Sequence, residues 1–148
     1  MILEITETAA LCDIAESVRF VHAVRALGVR VALDDFGAGF TNFQHLKCLP
    51  VDVVKIDGAF VRGITMDRSN RLFVRNLIAL ARSLDVLTLA ECVESADEAE
   101  ALTAEGADLL QGYHCGYPDL NLPVEATDGA AGAKPLASVG RGSPSSVG

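Results

Sequence analysis

Short runs of branched apolar residues alternate along this chain with longer stretches in which apolar positions recur every three or four residues. Over 13–27, Ile14, Val18, Val21, Val24 and Leu27 fall on one helical face. Asp13 with Glu16 three residues on resembles a capping box, and Gly28 supplies the stop. A strand over 29–33 follows at once. The unit recurs: a helix over 71–84 precedes a strand over 86–90, and a helix over 95–104, opened by Ser95 and Glu98, precedes a strand over 107–110. With strands over 2–6 and 52–57, this repetition with short links predicts an α/β fold built on about five parallel strands.

The polar residues gather where the apolar runs stop. Glu4, Asp34 with Asp35, Lys55 with Asp57, Glu91 and Gln111 each mark a strand exit. One polar exit means little, but five on successive parallel strands point to one shared site, because parallel barrels collect their reactive groups at strand C-termini. Lys55 and Asp57 are two apart and are expected on the same side of their strand; a plain salt bridge between them is the structural alternative.

Adjacent carboxylates before a glycine-containing loop suit a hard cation. Mg²⁺ or Mn²⁺ takes oxygen ligands of the kind Glu4, Asp34, Asp35 and Glu91 offer. Two such ions can share and acidify a water beside a phosphodiester, with Lys55 as a fixed positive charge, which outlines a phosphate-ester hydrolase. His22, His45 and His114 have no spacing that suggests zinc. His22 is expected on a helix surface and His114 in a solvated loop near Gln111.

The net charge of −8 disfavours DNA, RNA or an anionic membrane as partner. No apolar run approaches the roughly 20 residues of a membrane-spanning helix, and the start lacks a basic leader, which reads as cytoplasmic. Four cysteines without a Cys-x-x-Cys are expected to be reduced and mostly buried. From 124 to 148 the sequence turns to Ala, Gly, Ser and Pro without periodicity, so a domain over 1–123 and a disordered tail over 124–148 are expected.

The segments Leu3-Glu4-Ile5-Thr6-Glu7, Asp34-Asp35-Phe36-Gly37-Ala38-Gly39-Phe40, Lys55-Ile56-Asp57, Ala90-Glu91-Cys92-Val93-Glu94 and Gln111-Gly112-Tyr113 resemble, in order and spacing, the EAL domain of cyclic di-GMP phosphodiesterases. The resemblance runs over about residues 1–118. It implies a TIM-type (β/α)₈ barrel, here partial with the first three strands missing, and metal-dependent linearisation of cyclic di-GMP to pGpG in bacterial signalling. By that resemblance Glu4, Asp34, Asp35 and Glu91 are metal ligands, Glu91 alternatively a general base. Lys55 contacts the attacking water and Asp57 supports the metals. Glu7 steadies the loop after Phe36 and Gly37, Glu94 is an acid close to the ligand, and Gln111 lies near the site.

The chain also departs from the family pattern. The family pattern's Glu-Ala-Leu motif and the asparagine of the strand following it, both normally upstream of the segment that opens with Leu3-Glu4, are not found there. Cys92 stands where glycine is usual, and Thr41-Asn42-Phe43 replaces a serine-rich loop end. The resemblance therefore implies a fragment inactive alone, partnered by upstream sensory domains or by a second copy. The alternative is a noncatalytic remnant that binds cyclic di-GMP or a protein.

Overall fold

The computed structural model describes residues 1–37 and 43–112. Five strands, β1 (Ile2–Thr6), β2 (Arg30–Phe36), β3 (Val53–Ile56), β4 (Leu87–Ala90) and β5 (Leu109–Leu110), form one sheet in sequence order. Every neighbouring pair is parallel. Between them run α1 (Glu7–Cys12), α2 (Ile14–Ala26), α3 (Phe43–Cys48), α4 (Gly58–Val61), α5 (Arg68–Ser83) and α6 (Ala96–Glu105). This is the strand–helix progression of a TIM-type barrel, present as a five-stranded part.

The two faces of the sheet bury different things. Val31, Leu33, Val54 and Ile56 point to the helices and join Val21 of α2, Val61 of α4 and Leu102 of α6 in the main core. Helix α5 contributes Val74, Leu77, Ile78 and Ala81, the spacing that keeps an apolar stripe on one face. On the other face Ala32, Val53 and Leu89 form a second cluster, flanked by Ile2 and Leu109. Because β3 is buried on both faces, all four of its residues are apolar except Lys55.

Side-chain carboxylates latch the N-terminal edge of the sheet. Asp52, just before β3, accepts from the Val31 N–H at 2.8 Å and pairs with Arg25 at 3.1 Å. Asp108, just before β5, does the same to β4: one carboxylate oxygen accepts from both the N–H and the hydroxyl of fully buried Thr88, each at 2.8 Å.

The structure revises several expectations. Helix α1 was not anticipated; Thr6 caps its start, and Asp13 both ends it and caps α2. Helices α3 and α4, at six and four residues, are too short for a periodic signal. Leu27, expected on the apolar stripe of α2, is 81% exposed because the helix stops at Ala26 and the chain leaves helical phase there. Strand β2 continues past Leu33 to Phe36, with a register shift between those residues, so Asp34 and Asp35 lie in the irregular end of the strand rather than beyond it. Strand β3 stops at Ile56, which leaves Asp57 as the cap of α4. Cys12 and Cys48 are exposed and Cys92 is half-buried, against the expected burial; the first two are the last residues of short helices. His22 is on the surface of α2 as expected. His114, Cys115 and the 124–148 tail lie outside the described residues.

Replacing Asp108 by Ala strands two donors of buried Thr88 and should destabilise the fold by about 1–3 kcal/mol. Urea unfolding followed by circular dichroism measures the loss; an unchanged midpoint would show that the latch contributes nothing.

Candidate metal centre

Alternation along the strands builds the site. Ile2, Ala32, Val53, Leu89 and Leu109 supply the apolar cluster inside the curve of the sheet. Two residues further along each strand come Glu4, Asp34, Lys55, Glu91 and Gln111, and a spacing of two keeps the same side of a pleated strand. An apolar floor thus carries a polar layer directly above it.

Lys55 organises that layer. Its ammonium donates to Glu91 Oε1 at 2.7 Å, Glu4 Oε1 at 3.0 Å and Asp34 Oδ1 at 3.1 Å. Three carboxylates from three other strands thereby meet its three N–H donors; Glu4, expected at a strand exit, lies in the middle of β1, which runs on to Thr6. The Lys55 side chain is 7% exposed, whereas Glu4 is 53% exposed. Burial alone would push the ammonium down, but its bonds to Glu91, Glu4 and Asp34 outweigh that and hold it above the ordinary lysine range. Lys55 is therefore a fixed cation at neutral pH.

Asp34, Asp35 and Glu91 each present a carboxylate oxygen, and these oxygens lie within 4.8 Å of one another. Asp35 reaches this position through a left-handed backbone, φ +57°, and its N–H donates to Asp34 Oδ1 at 3.0 Å. The Asp34 charge is the main cause lifting the Asp35 carboxyl above the usual range, with burial and Asp57 adding to it. The Glu91 carboxyl is raised chiefly by burial, which the hydrogen bond from Lys55 partly offsets. Carboxylates in excess of the one ammonium, all offering hard oxygen, fit a hard divalent cation. Glu4 stands beside this trio through Lys55 and is not one of its three members.

The remaining anticipated residues divide into two groups. Glu7, 5% exposed, accepts the Gly37 N–H on Oε2 at 3.1 Å, so it does grip the backbone just after fully buried Phe36. Asp57 lies close enough to influence Asp35, yet the bond described for it is from the Ala59 N–H at 2.7 Å, not from Lys55. Glu94 is half-exposed and faces Arg62 at 3.5 Å. Gln111 joins β5 to the loop after β4: its N–H donates to Ala90 O at 2.8 Å and its carbonyl accepts from Val93 N–H at 3.0 Å. Gly112 follows so close to the Val93 backbone that a β-carbon has no room.

Glu98 was read only as a helix opener. It completes the capping box with Ser95, and it also accepts from Gly63 N–H at 3.1 Å and Glu94 N–H at 2.9 Å. Burial opposes its ionisation, but the N–H groups of Glu94, Gly63 and Ser95 hold its carboxyl below the usual range. The loops after β3 and β4 are therefore tied by one carboxylate. The Ser95-x-x-Glu98 spacing signals the cap; nothing in it signals Gly63.

Replacing Lys55 by Met should cost about 3 kcal/mol, the low end for breaking a buried ion pair, since half-exposed Glu4 can turn to water. A urea titration reads this. Asp35→Asn should act oppositely. A carboxyl whose pKa is raised on folding lowers stability as pH climbs from the unfolded towards the folded value, and the full penalty persists above it. Asparagine also tolerates φ +57°. In chelator at neutral pH the variant should unfold at higher urea than the parent, while the stabilisation by added Mn²⁺ falls at least tenfold in effective affinity. A lower midpoint in chelator would contradict the repulsion inferred between Asp34 and Asp35.

The family profile described as EAL domain matches residues 1–118. Cyclic di-GMP phosphodiesterase PdeF of Escherichia coli K12 is 36% identical over 118 residues, which cover 80% of this chain and 16% of that protein. The structure of the Mycobacterium smegmatis DcpA EAL domain superposes with a TM-score of 0.72 at 37% identity, over 79% of this chain and 52% of that one. The PaMucR phosphodiesterase in complex with c-di-GMP gives 0.71 at 37% identity, over 76% and 45% respectively. The chain spans 13–22% of the curated relatives it matches and about half of these two solved chains. Matched by that profile over residues 1–118, and with five parallel strands among its described residues, the chain belongs to the EAL domain family.

Proposed function

We propose that this chain carries part of the active site of a cyclic di-GMP phosphodiesterase that yields linear pGpG, and that it needs upstream family residues for turnover. The observation that carries the reading is the meeting of Lys55 with Glu4, Asp34 and Glu91, beside the three-carboxylate group of Asp34, Asp35 and Glu91. Structures of relatives bound to c-di-GMP support the ligand.

In this reading Asp34, Asp35 and Glu91, with Glu4 close by, hold Mg²⁺ or Mn²⁺. A bound divalent ion there supplies Lewis acidity and makes water a better nucleophile. Lys55, kept cationic by its neighbours, stabilises negative charge and cannot serve as a base at neutral pH. Glu91, the carboxylate whose proton affinity burial has raised, is the group suited to accept a proton from water. Asp57 contributes by fixing the start of α4 and by its charge near Asp35. Glu7 holds Gly37, Gln111 follows β5 beside the segment after β4, and Glu94, paired with Arg62, is proposed as an acid close to the ligand. No helix among the described residues is long and apolar enough to cross a membrane.

The second reading, cyclic di-GMP binding without hydrolysis, draws on the lack of a Glu-Ala-Leu motif ahead of β1; the tripeptide Glu100-Ala101-Leu102 lies within helix α6 and is not at a strand exit. One assay separates the two. The purified chain should release almost no pGpG with Mn²⁺. Fused to an upstream EAL segment that brings the missing glutamate and asparagine, it should turn over, and Asp34→Asn in that fusion should lower the rate at least a hundredfold. Ligand binding by the fusion without any product would establish the noncatalytic reading instead.

A further inference from the structure

Four phenylalanines meet beneath the irregular end of β2. Phe60 of α4 stacks on Phe73 of α5 with ring centroids 4.1 Å apart, Phe73 stacks on Phe43 of α3 at 6.0 Å, and Phe43 tilts against Phe36 at 6.3 Å. The stacked pair occupies the space that a side chain at Gly37 would need. A β-carbon built there would lie 2.6 Å from Phe60 Cε2 and 2.9 Å from Phe73 Cζ. Gly37 has φ +102°, and its N–H is held on the opposite count by Glu7.

That seat matters because the segment just before it resists its own conformation. Asp35 is a non-glycine residue at φ +57°, and the strand register shifts between Leu33 and Phe36. Left unsupported, the two carboxylates would separate by relaxing the backbone between them. We infer that Phe60 and Phe73 are positioning residues: their stacked rings, closing on the bare face of Gly37, fix the Asp34–Asp35 backbone in the geometry that brings both carboxylates to Glu91. The inference rests on reading Asp34, Asp35 and Glu91 as the metal-binding group. Neither ring belongs to that group, so their effect on it passes through the backbone at Gly37.

The experiment compares Phe73→Leu with Leu77→Val in the full chain. Leu77 is fully buried on the same helix but is not one of the rings at Gly37, so it controls for general loosening of α5. Two readouts are taken: Mn²⁺ affinity by titration calorimetry, and amide hydrogen exchange at Gly37. Phe73→Leu should weaken Mn²⁺ binding at least tenfold and speed Gly37 exchange at least tenfold. Leu77→Val, at equal or greater loss of thermal stability, should change each less than twofold. Parental exchange and affinity in Phe73→Leu, or equal effects in both variants, would overturn the inference. Should the parent bind no Mn²⁺, the metal reading fails, and the exchange at Gly37 still decides whether the rings position the segment.

Discussion

A single ammonium bonded to carboxylates carried by three other strands is the constraint on which this structure turns. Lys55 is the one charged residue in a strand whose other members are apolar, and removing it from water is unfavourable unless every N–H finds an acceptor. Glu91, Glu4 and Asp34 supply those acceptors, and in doing so they fix the relative positions of β1, β2, β3 and the end of β4. The requirement is reciprocal. Without the cation, the same pleat would stack bare carboxylates above an apolar floor, and the sheet would favour any distortion that spread them.

The cation does not neutralise the layer, and the residual repulsion is met by backbone geometry. Of the three non-glycine residues with positive φ among the described residues, Asp35 belongs to the carboxylate group and Cys92 directly follows its member Glu91. The third, Asp85, follows helix α5 and performs the ordinary task of a helix stop. Cys92, at φ +58°, stands where the resemblance to the EAL domain places glycine, and its side chain packs over the bare face of Gly58. A β-carbon in this conformation costs on the order of 1 kcal/mol. The strain lies in the irregular end of β2 that carries Asp35 and in the segment that leaves Glu91 after β4, next to the crowded carboxylates.

What could be read from the sequence, and what could not, follows from the range of each interaction. Polar residues at the ends of the apolar runs are a local signal and pointed to one shared site, and the spacing of two from Ala32 to Asp34, Val53 to Lys55 and Leu89 to Glu91 is the physical reason they form one layer. Helix α5 announced itself through Val74, Leu77, Ile78 and Ala81. The bulge that carries β2 to Phe36 depends on pairing with Ile56, twenty residues away, and no local pattern reveals it. The same holds for Glu98, whose cap is local but whose bond to Gly63 spans 35 positions. Asp57 misled for the opposite reason: a strand-like spacing from Lys55 concealed a helix cap one residue past the strand's end.

The two ends of the sheet use carboxylates for opposite purposes. At the N-terminal edge Asp52 and Asp108 each accept donors from the neighbouring strand, and every such bond satisfies a group that would otherwise be buried unpaired. At the C-terminal edge Asp34, Asp35 and Glu91 are crowded, two of them with raised proton affinity, and one ammonium pairs with Asp34 and Glu91. Latches below allow crowding above, because strands held in register at one end cannot slide to relieve repulsion at the other. Stability and chemistry are thus separated along the strand axis, as in parallel barrels generally. Loss of a latch at the lower edge should therefore reach the upper one as a shift of strand register that spreads the crowded carboxylates.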